Sequence, residues 1–224
     1  MTSPEMESSH PWARQALWWS ERQRSRPLLW PAGESWFSND PLGPLPHTHP
    51  GASEVYFVAS GELHVTVGTT DLVLSAGDYC LIPPGTFHSP QNLASEDLRM
   101  LALVSPNVKG ERWKTAPFSA EDFEGQPLVG NVFRNTALPD SAHIRGEPIH
   151  LSQGSLWSFE NEAADTTIWV VEGDVEVTVG MLAGRIEPSY HVTAMAGVPG
   201  SIRAISDAIV LVLEAYGDEK ITTL

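Results

Sequence analysis

The sequence predicts an all-β protein built from two tandem copies of one β-unit, and two observations carry this prediction. Eighteen glycines and 18 prolines divide the chain into short runs rich in Val, Ile, Leu and Thr, a pattern typical of a β-sandwich or β-barrel. The segment VYFVASGELHVTVG, 55–68, aligns without gaps with TIWVVEGDVEVTVG, 167–180. An internal repeat of this kind indicates architecture more firmly than residue propensity does.

The clearest helical signal lies near the start of the chain. Ser9 and Pro11 suit the N-cap and first turn of a helix over PWARQALWWSERQRS, so a short helical leader is predicted there. Five of the eight tryptophans, Trp12, Trp18, Trp19, Trp30 and Trp36, fall within the first 36 residues, and large aromatic side chains are enriched at packed interfaces. We interpret them as sealing one end of a barrel or a contact between subunits, which favours a homodimer. A lid over a ligand is the alternative.

The repeat sets the expected domain organisation. Each repeat segment is predicted to form a hairpin, and PPGTFH, 83–88, is aligned with VPGSIR, 198–203, after allowing three extra residues in the second copy. The acidic segment PFSAEDFEGQP, 117–127, is expected to connect the copies. We therefore expect a leader and first barrel over 1–116 and a second barrel over 128–224.

Charge and composition narrow the class of partner. The chain has 28 acidic and 13 basic residues and a formal net charge of −15, which makes a nucleic-acid partner a poor expectation. No apolar stretch approaches the roughly 18 residues of a membrane span. The start of the chain lacks the basic and apolar regions of a signal peptide. The single cysteine, Cys80, allows no intrachain disulfide, so a cytoplasmic location is expected.

Three histidines and one glutamate in the first copy have the spacing of a metal site. His47 and His49 are two residues apart, so on a strand both imidazoles leave the same face. A Pro-Gly turn follows, and Glu54 opens the next strand. A second turn, Pro-Pro-Gly, delivers His88 from a distant strand. Three imidazoles and one carboxylate suit a divalent first-row metal, with ligand bonds on the order of 2.0 to 2.2 Å.

The pattern HxHx4Ex6G, followed by Gx5PxGx2Hx3N, resembles both signature motifs of the cupin superfamily. The resemblance covers roughly residues 40 to 216, and the internal repeat resembles that of a bicupin. One departure is Pro41, where a glycine often precedes the first histidine by six residues. The resemblance implies two cupin-type β-barrels, of the double-stranded β-helix or jelly-roll kind. It also implies a metal at the inner centre of the first barrel, bound by His47, His49, Glu54 and His88.

The second copy is expected to lack a metal. In the aligned register its residues at the four ligand positions are, in order, Phe159, Asn161, Thr166 and Arg203. A cationic Arg203 would repel a metal, so we interpret this copy as a structural barrel, with a secondary ligand pocket as the alternative.

The metal leaves several chemistries open. Fe(II) is our preferred ion, with Mn, Ni, Zn, Co or Cu as alternatives. A dioxygenase acting on a small organic molecule is the first hypothesis, and a Lewis-acid lyase or isomerase is the second. A non-catalytic cupin that binds a ligand or metal is a further alternative. Tyr56, on the same strand face as Glu54, is the candidate acid or base, although a tyrosine that only lines the barrel is equally compatible with the sequence.

The substrate is expected to be neutral or metal-chelating. Residues 27–98 contain no Lys or Arg but eight acidic residues, and a buried anionic substrate needs a cationic partner. Arg99, or a residue of the leader, is the cation that could still reach the site. The expected substrate wall is mostly apolar and includes Tyr56, Val58, Leu81 and Phe87.

Overall fold

The computed structural model describes residues 18–19, 24–30, 46–106, 114–134, 136–138, 143–188 and 190–216. This part of the chain is mostly β-strand, with short 3-10 turns at Ala120–Phe123 and Val132–Arg134, and it contains no helix long enough to cross a lipid bilayer. The all-β class predicted from the sequence is confirmed. The strands are β1 Trp18–Trp19, β2 Arg24–Trp30, β3 Ser53–Ser60, β4 Glu62–Val67, β5 Thr70–Ser75, β6 Asp78–Ile82, β7 His88–Gln91, β8 Leu98–Ser105, β9 Leu128–Asn131, β10 Ile144–Leu151, β11 Leu156–Phe159, β12 Asp165–Glu172, β13 Val175–Val179, β14 Leu182–Ile186, β15 His191–Ala194, β16 Gly200–Ala204 and β17 Ala208–Ala215.

Each copy of the repeat forms two sheets, and the sheet that contains the 8-residue strands is called the large sheet of that copy. In the first copy the strand orders are β1-β2-β8-β3-β6-β9 and β5-β4-β7. In the second copy they are β10-β17-β12-β15 and β11-β16-β13-β14. The order β2-β8-β3-β6 therefore recurs as β10-β17-β12-β15, and β5-β4-β7 recurs as β14-β13-β16. The two copies predicted from the sequence repeat have the same topology.

The hairpins predicted for the repeat segments are wrong. Strand β3 pairs with β6 and β8, whereas β4 pairs with β5 and β7. The second copy has the same separation, because β12 and β13 lie in different sheets. The connections at Gly61 and Gly173, with φ of +82° and +75°, carry the chain from one sheet to the other. Alternating hydrophobicity indicates which face of a strand is buried, but it does not identify the neighbouring strand.

A constant offset of 112 residues relates the copies through the region that carries the ligands. Val67 of β4 lies opposite His88 of β7. Val179 of β13 lies opposite Gly200 of β16, 112 residues later in both strands. The structural counterpart of His88 is therefore Gly200.

The equivalence of His88 with Arg203, which rested on a three-residue insertion, is wrong. The turns that precede β7 and β16 carry their positive-φ glycines at Gly85 and Gly197, with φ of +73° and +75°. These two residues are also 112 apart. The Pro-Gly dipeptide at 199–200 lies after the turn, because Gly200 is the first residue of β16. Matching it to Pro-Gly at 84–85 therefore shifts the register by three residues. Arg203 is exposed on β16 and does not stand at a ligand position.

The described part of the leader is strand, where the sequence predicts a helix. Residues 11–17 and 20–23 of the predicted helix lie outside the described residues, but Trp18–Trp19 and Arg24–Trp30 are β-strands. Strand β2 pairs along its whole length with β8. This ladder satisfies the backbone of β2 through tertiary pairing, which overrides the local helix signals at the start of that strand.

The segment predicted as a linker, 117–127, packs closely on the first copy. The rings of Phe118 and Phe123 contact the ring of Phe87 with centroids 5.0 and 4.6 Å apart. Strand β9, which opens the range expected to form the second barrel, pairs with β6 of the first copy. The domain boundaries at 116 and 128 remain predictions.

The buried apolar residues form three clusters. One lies inside the first copy and includes Tyr56, Val58, Leu63, Val65, Val67, Leu74, Cys80, Ile82, Leu98 and Met100. A second lies inside the second copy and includes Ile168, Val170, Val175, Val177, Ile202, Val210 and Val212. The third joins the outer faces of the two large sheets and includes Val55, Phe57, Tyr79, Leu81, Leu101, Leu103, Trp169, Leu211 and Leu213. Each large sheet is therefore apolar on both faces, because one faces its own barrel and the other faces the neighbouring copy.

Candidate metal centre

The four predicted ligands meet inside the first copy. His47 and His88 form an antiparallel bridge, with backbone N–H to O distances of 3.0 and 2.9 Å in the two directions. The turn after His49 closes with a hydrogen bond from the backbone N–H of Ala52 to the carbonyl of His49. This turn leads into β3, whose second residue is Glu54. Two neighbouring strands and one tight turn therefore bring all four side chains to one place.

The donor atoms are close together and shielded from solvent. The Oε2 atom of Glu54 lies 2.9 Å from Nε2 of His88, 3.2 Å from Nε2 of His49 and 3.9 Å from Nε2 of His47. The Nε2 atoms of His47 and His88 are 2.9 Å apart. None of the four residues is more than 5% exposed. Within the described part of the chain, this is the group of His, Cys, Asp or Glu side chains compact enough to hold a metal ion.

The chemistry of this donor set fits a divalent transition metal. Ligands about 2.1 Å from one ion lie about 3 to 3.5 Å apart when they are adjacent, and the observed donor separations fall around this range. Imidazole nitrogen and carboxylate oxygen are ligands that Fe, Mn, Ni, Zn and Cu accept. Several donor atoms directed at one buried point need a cation there, because their lone pairs otherwise repel one another.

The His88 ring is held in the orientation that a ligand needs. Its Nδ1 lies 2.9 Å from the carbonyl oxygen of Thr86, which can accept a hydrogen bond only from a protonated nitrogen. This contact places a proton on Nδ1 and makes Nε2 the nitrogen that faces Glu54 and the other imidazoles. Fixing a histidine tautomer through its second nitrogen is common in protein metal sites. Thr86 was not identified from the sequence, because a backbone carbonyl acceptor leaves no signal in residue type.

Glu54 is kept ionised by its neighbours. Burial by itself would raise the pKa of this carboxyl, but hydrogen bonds and charge interactions with His49 and His88 lower the pKa well below its usual value. Tyr56 adds another hydrogen bond, from its hydroxyl to Oε2 of Glu54 at 3.2 Å. Burial and the Glu54 charge raise the pKa of Tyr56 well above 10. In this setting Tyr56 keeps its proton and donates to the carboxylate.

The barrel interior next to the ligands is apolar. Val58, whose place at the substrate wall remains a prediction, belongs to the buried cluster inside the first copy together with Cys80 and Ile82. Cys80 stands directly opposite Tyr56 in the β3–β6 ladder. Burial, with a contribution from the Glu54 charge, raises the pKa of the Cys80 thiol to about 12. The thiol is therefore protonated near neutral pH and is not activated as a nucleophile.

Three residues expected at the substrate wall lie elsewhere. Leu81 stands opposite Val55 and belongs to the cluster between the two copies. Successive residues of a strand point to opposite faces, so the residues on either side of Leu81 face the barrel interior and Leu81 does not. Phe87 packs on the 117–127 segment. Arg99 is exposed.

The corresponding centre of the second copy is filled by an aromatic ring. Phe159 replaces His47 and lies opposite Gly200 in the β11–β16 ladder. A Cβ atom on Gly200 would lie 2.2 Å from Cζ of Phe159. Asn161, which replaces His49, donates from its amide to Glu214 at 2.9 Å and accepts from the loop backbone at Ala163 and Ala164. These residues form a packed structural centre in place of a metal site.

Comparisons with known proteins agree with the motif and the fold. The family model described as Cupin domain matches residues 40–104. A probable germin-like protein (subfamily 2 member 5) from Arabidopsis thaliana is 37% identical over 100 residues, which cover 42% of this chain and 39% of that protein. An oxalate-binding protein from Thermotoga maritima is 34% identical over 58 residues, covering 26% of this chain and 48% of that protein. The chain thus spans less than half the length of these two relatives.

Solved structures match nearly the whole chain. A mutant of salicylate 1,2-dioxygenase from Pseudoaminobacter salicylatoxidans superposes with a TM-score of 0.69 at 15% sequence identity, covering 88% of this chain and 71% of that one. At this identity the likeness concerns the fold. The ligand motif and the family match place residues 40–104 in the cupin superfamily, and the fold of the chain is similar to that of the solved dioxygenase.

Proposed function

We propose that this protein is an Fe(II)-dependent dioxygenase that acts on a small, metal-chelating organic molecule. The observation that carries the proposal is the convergence of three imidazole nitrogens and one carboxylate oxygen at a buried point in the first copy. Four ligands from the protein leave one or two coordination positions open on a five- or six-coordinate ion. An open position is what a catalytic metal site needs. When bound there, Fe(II) supplies these positions and one-electron redox chemistry.

The residues around the ligands support chemistry that excludes water. Glu54 stays ionised and holds one donor oxygen in place through its contacts with His49, His88 and Tyr56. Beside Tyr56 the barrel interior is lined by the buried side chains of Val58, Cys80 and Ile82. Low polarity around a charged site strengthens its electrostatic interactions.

The charge distribution favours a substrate that binds through its own oxygen donors. No Lys or Arg occurs between residues 27 and 98. Arg99 is exposed, and the ammonium of Lys114 pairs with Asp122. Among the side chains that the structure describes, none is a free cation near the ligands, so a carboxylated substrate would place its negative charge on the metal, whereas an enol, phenol or diketone chelates without a cationic partner.

One comparison supports phenolic compounds as additional candidate substrates. A solved salicylate 1,2-dioxygenase structure with a TM-score of 0.66 contains gentisate, a carboxylated phenol. The shared fold makes phenolic chelators reasonable candidates for this chain. The charge argument predicts that neutral chelators are better substrates here than carboxylated ones.

Oxygen uptake tests the proposal. Protein reconstituted with Fe(II) under anaerobic conditions is mixed with matched substrates, a β-diketone and a flavonol on one side and salicylate and gentisate on the other. Oxygen is then admitted and its consumption followed, with mass spectrometry of the products. We expect uptake with a neutral chelator and cleavage products that together contain both atoms of the consumed dioxygen.

Two variants serve as controls. His88→Ala removes a ligand and should abolish uptake, whereas His191→Phe changes a buried histidine of the second copy and should leave uptake unchanged. Turnover without oxygen consumption, with Zn, Ni or Mn in place of iron, would instead indicate a lyase or isomerase. Absence of turnover with all of these metals and substrates would favour a binding role.

A further inference from the structure

We propose that Lys114 and Asp122 are positioning residues of the metal centre, an inference that rests on the metal site proposed above. The two residues belong to segment 114–127, here called the strap, which runs against the backbone beside three of the four ligands. Their ion pair closes the strap on itself. The strap thereby holds the imidazoles of His47, His49 and His88 in ligand geometry.

The first end of the strap contacts the segment that carries two histidines. Lys114 forms an antiparallel bridge with Thr48. The backbone N–H of each residue donates to the carbonyl of the other, with N to O distances of 3.0 and 3.2 Å. Thr48 lies between His47 and His49 and is fully buried. A shift of Lys114 is therefore transmitted to the backbone of both ligands.

The other end of the strap contacts the residues before His88. The backbone N–H of Phe87 donates to the carbonyl of Asp122 at 2.6 Å. Gly125 packs so tightly on Thr86 that a Cβ atom there would lie 1.9 Å from the Thr86 Oγ1. Because the carbonyl of Thr86 is also the acceptor for Nδ1 of His88, this contact bears on both the position and the orientation of that ring.

The ion pair links these two ends. Lys114 Nζ contacts Oδ2 of Asp122, and the two side chains are 34% and 12% exposed. The same oxygen accepts hydrogen bonds from the backbone N–H and hydroxyl of Ser119, at 2.6 and 3.0 Å. Asp122 therefore anchors the strap's own turn and pulls its two contact points together. Partial burial limits the competition from water that weakens fully exposed ion pairs.

Metal release measures this role directly. Co(II) is loaded into the wild type, Lys114→Met, Asp122→Asn and the double variant, and its transfer to excess EDTA is followed by the cobalt absorption. Asn at 122 keeps an oxygen that can accept from Ser119, so the change removes mainly the charge. We expect release about fivefold faster in each single variant. The double variant should release cobalt no faster than either single variant, because the two residues act as one pair.

A matched control separates positioning from general destabilisation. Arg185 and Asp174 form an ion pair in the second copy, and Arg185→Met should leave the release rate and the cobalt spectrum unchanged. A merely structural role for the strap would lower the melting temperature of the metal-free variants while leaving the cobalt spectrum and release rate at wild-type values. That result would overturn the proposal.

The remaining outcomes are also decisive. If wild-type protein takes up no cobalt, both the metal site and the strap's role are wrong. If the wild type binds cobalt and both Lys114→Met and Asp122→Asn release it at the wild-type rate, only the role of the strap is wrong. Should Asp122→Asn fail to fold, Lys114→Met alone decides the question.

Discussion

The ring of Phe159 lies against Gly200 so closely that a Cβ atom at position 200 would be 2.2 Å from Cζ of the ring. In the first copy the corresponding pair is His47 and His88, whose Nε2 atoms are 2.9 Å apart. One position in the shared architecture thus holds two ligands in one copy and a ring packed on a glycine in the other. The larger ring of Phe159, in place of His47, fills the space that is left where Gly200 replaces His88.

This relationship predicts an overpacking cost. Gly200→Ala should destabilise the protein by about 1 to 3 kcal/mol, because the added methyl group displaces the Phe159 ring. In a Phe159→Ala background the same change should cost much less. Urea denaturation of the four proteins in this cycle measures the coupling, and equal costs of Gly200→Ala in both backgrounds would contradict the packing account. Metal content should be the same in all four.

The hydrogen bond between Tyr56 and Glu54 predicts a measurable effect on metal affinity. Tyr56→Phe removes the donor at 3.2 Å from Oε2, and contacts of this kind around a metal ligand are typically worth about tenfold or more in affinity. Competition with a chelator of known affinity measures the change.

The matched control for this prediction is Tyr79→Phe. Tyr79 is also buried, but its hydroxyl has no hydrogen-bond partner among the described residues. We therefore expect unchanged metal affinity and no loss of stability in Tyr79→Phe. If Tyr56→Phe also binds metal as tightly as the wild type, the Tyr56 hydroxyl does not contribute to positioning Glu54.

Buried His191 predicts a specific dependence of stability on pH. Burial lowers its pKa from 6.5 to about 4, and its ring stacks on Trp169 with a centroid distance of 5.8 Å. The unfolded chain therefore binds a proton that the folded chain does not bind as pH falls below 6.5. The free energy of unfolding is therefore unaffected by His191 above pH 6.5 and decreases progressively between pH 6.5 and about pH 4. The total decrease is on the order of 3 kcal/mol.

His191→Phe tests this linkage, since it keeps an aromatic ring on Trp169 and removes the titrating group. Chemical denaturation at pH 7.5 and at pH 4.5 gives the free energy of unfolding of both proteins. We expect the wild type to lose more stability than the variant between these pH values. Equal losses would show that His191 is not held in its neutral form by the fold.

The metal ligands of the first copy could be predicted from the sequence, whereas one of their counterparts in the second copy could not. The spacing of His47, His49, Glu54 and His88 brings the four residues together in the structure because strand alternation and tight turns are local features. The sequence alone misplaces the counterpart of His88 in the second copy, because the Pro-Gly dipeptide at 199–200 has the same residues as the turn before His88. Only the strand register, visible in the pairing of Val179 with Gly200, corrects it.

The substrate wall shows a different limit. Leu81 is apolar and lies in a strand next to β3, but the residue opposite Tyr56 in that ladder is Cys80. Directly opposed residues of an antiparallel pair point to the same face, so the register decides which of the two lines the barrel. The contacts of the strap with Thr48 and Phe87 are made through backbone atoms. They therefore cannot be predicted from a pattern of side chains.

The metal content of the purified protein tests the central claim most directly. Elemental analysis should find one divalent transition metal per chain in the wild type and in Asn161→Ala, the variant at the second-copy position that corresponds to His49. His49→Ala and His88→Ala should lose most of this metal. Equal metal content in His49→Ala and Asn161→Ala, or a wild type that retains no metal after loading with Fe(II), Mn(II) or Co(II), would contradict the account.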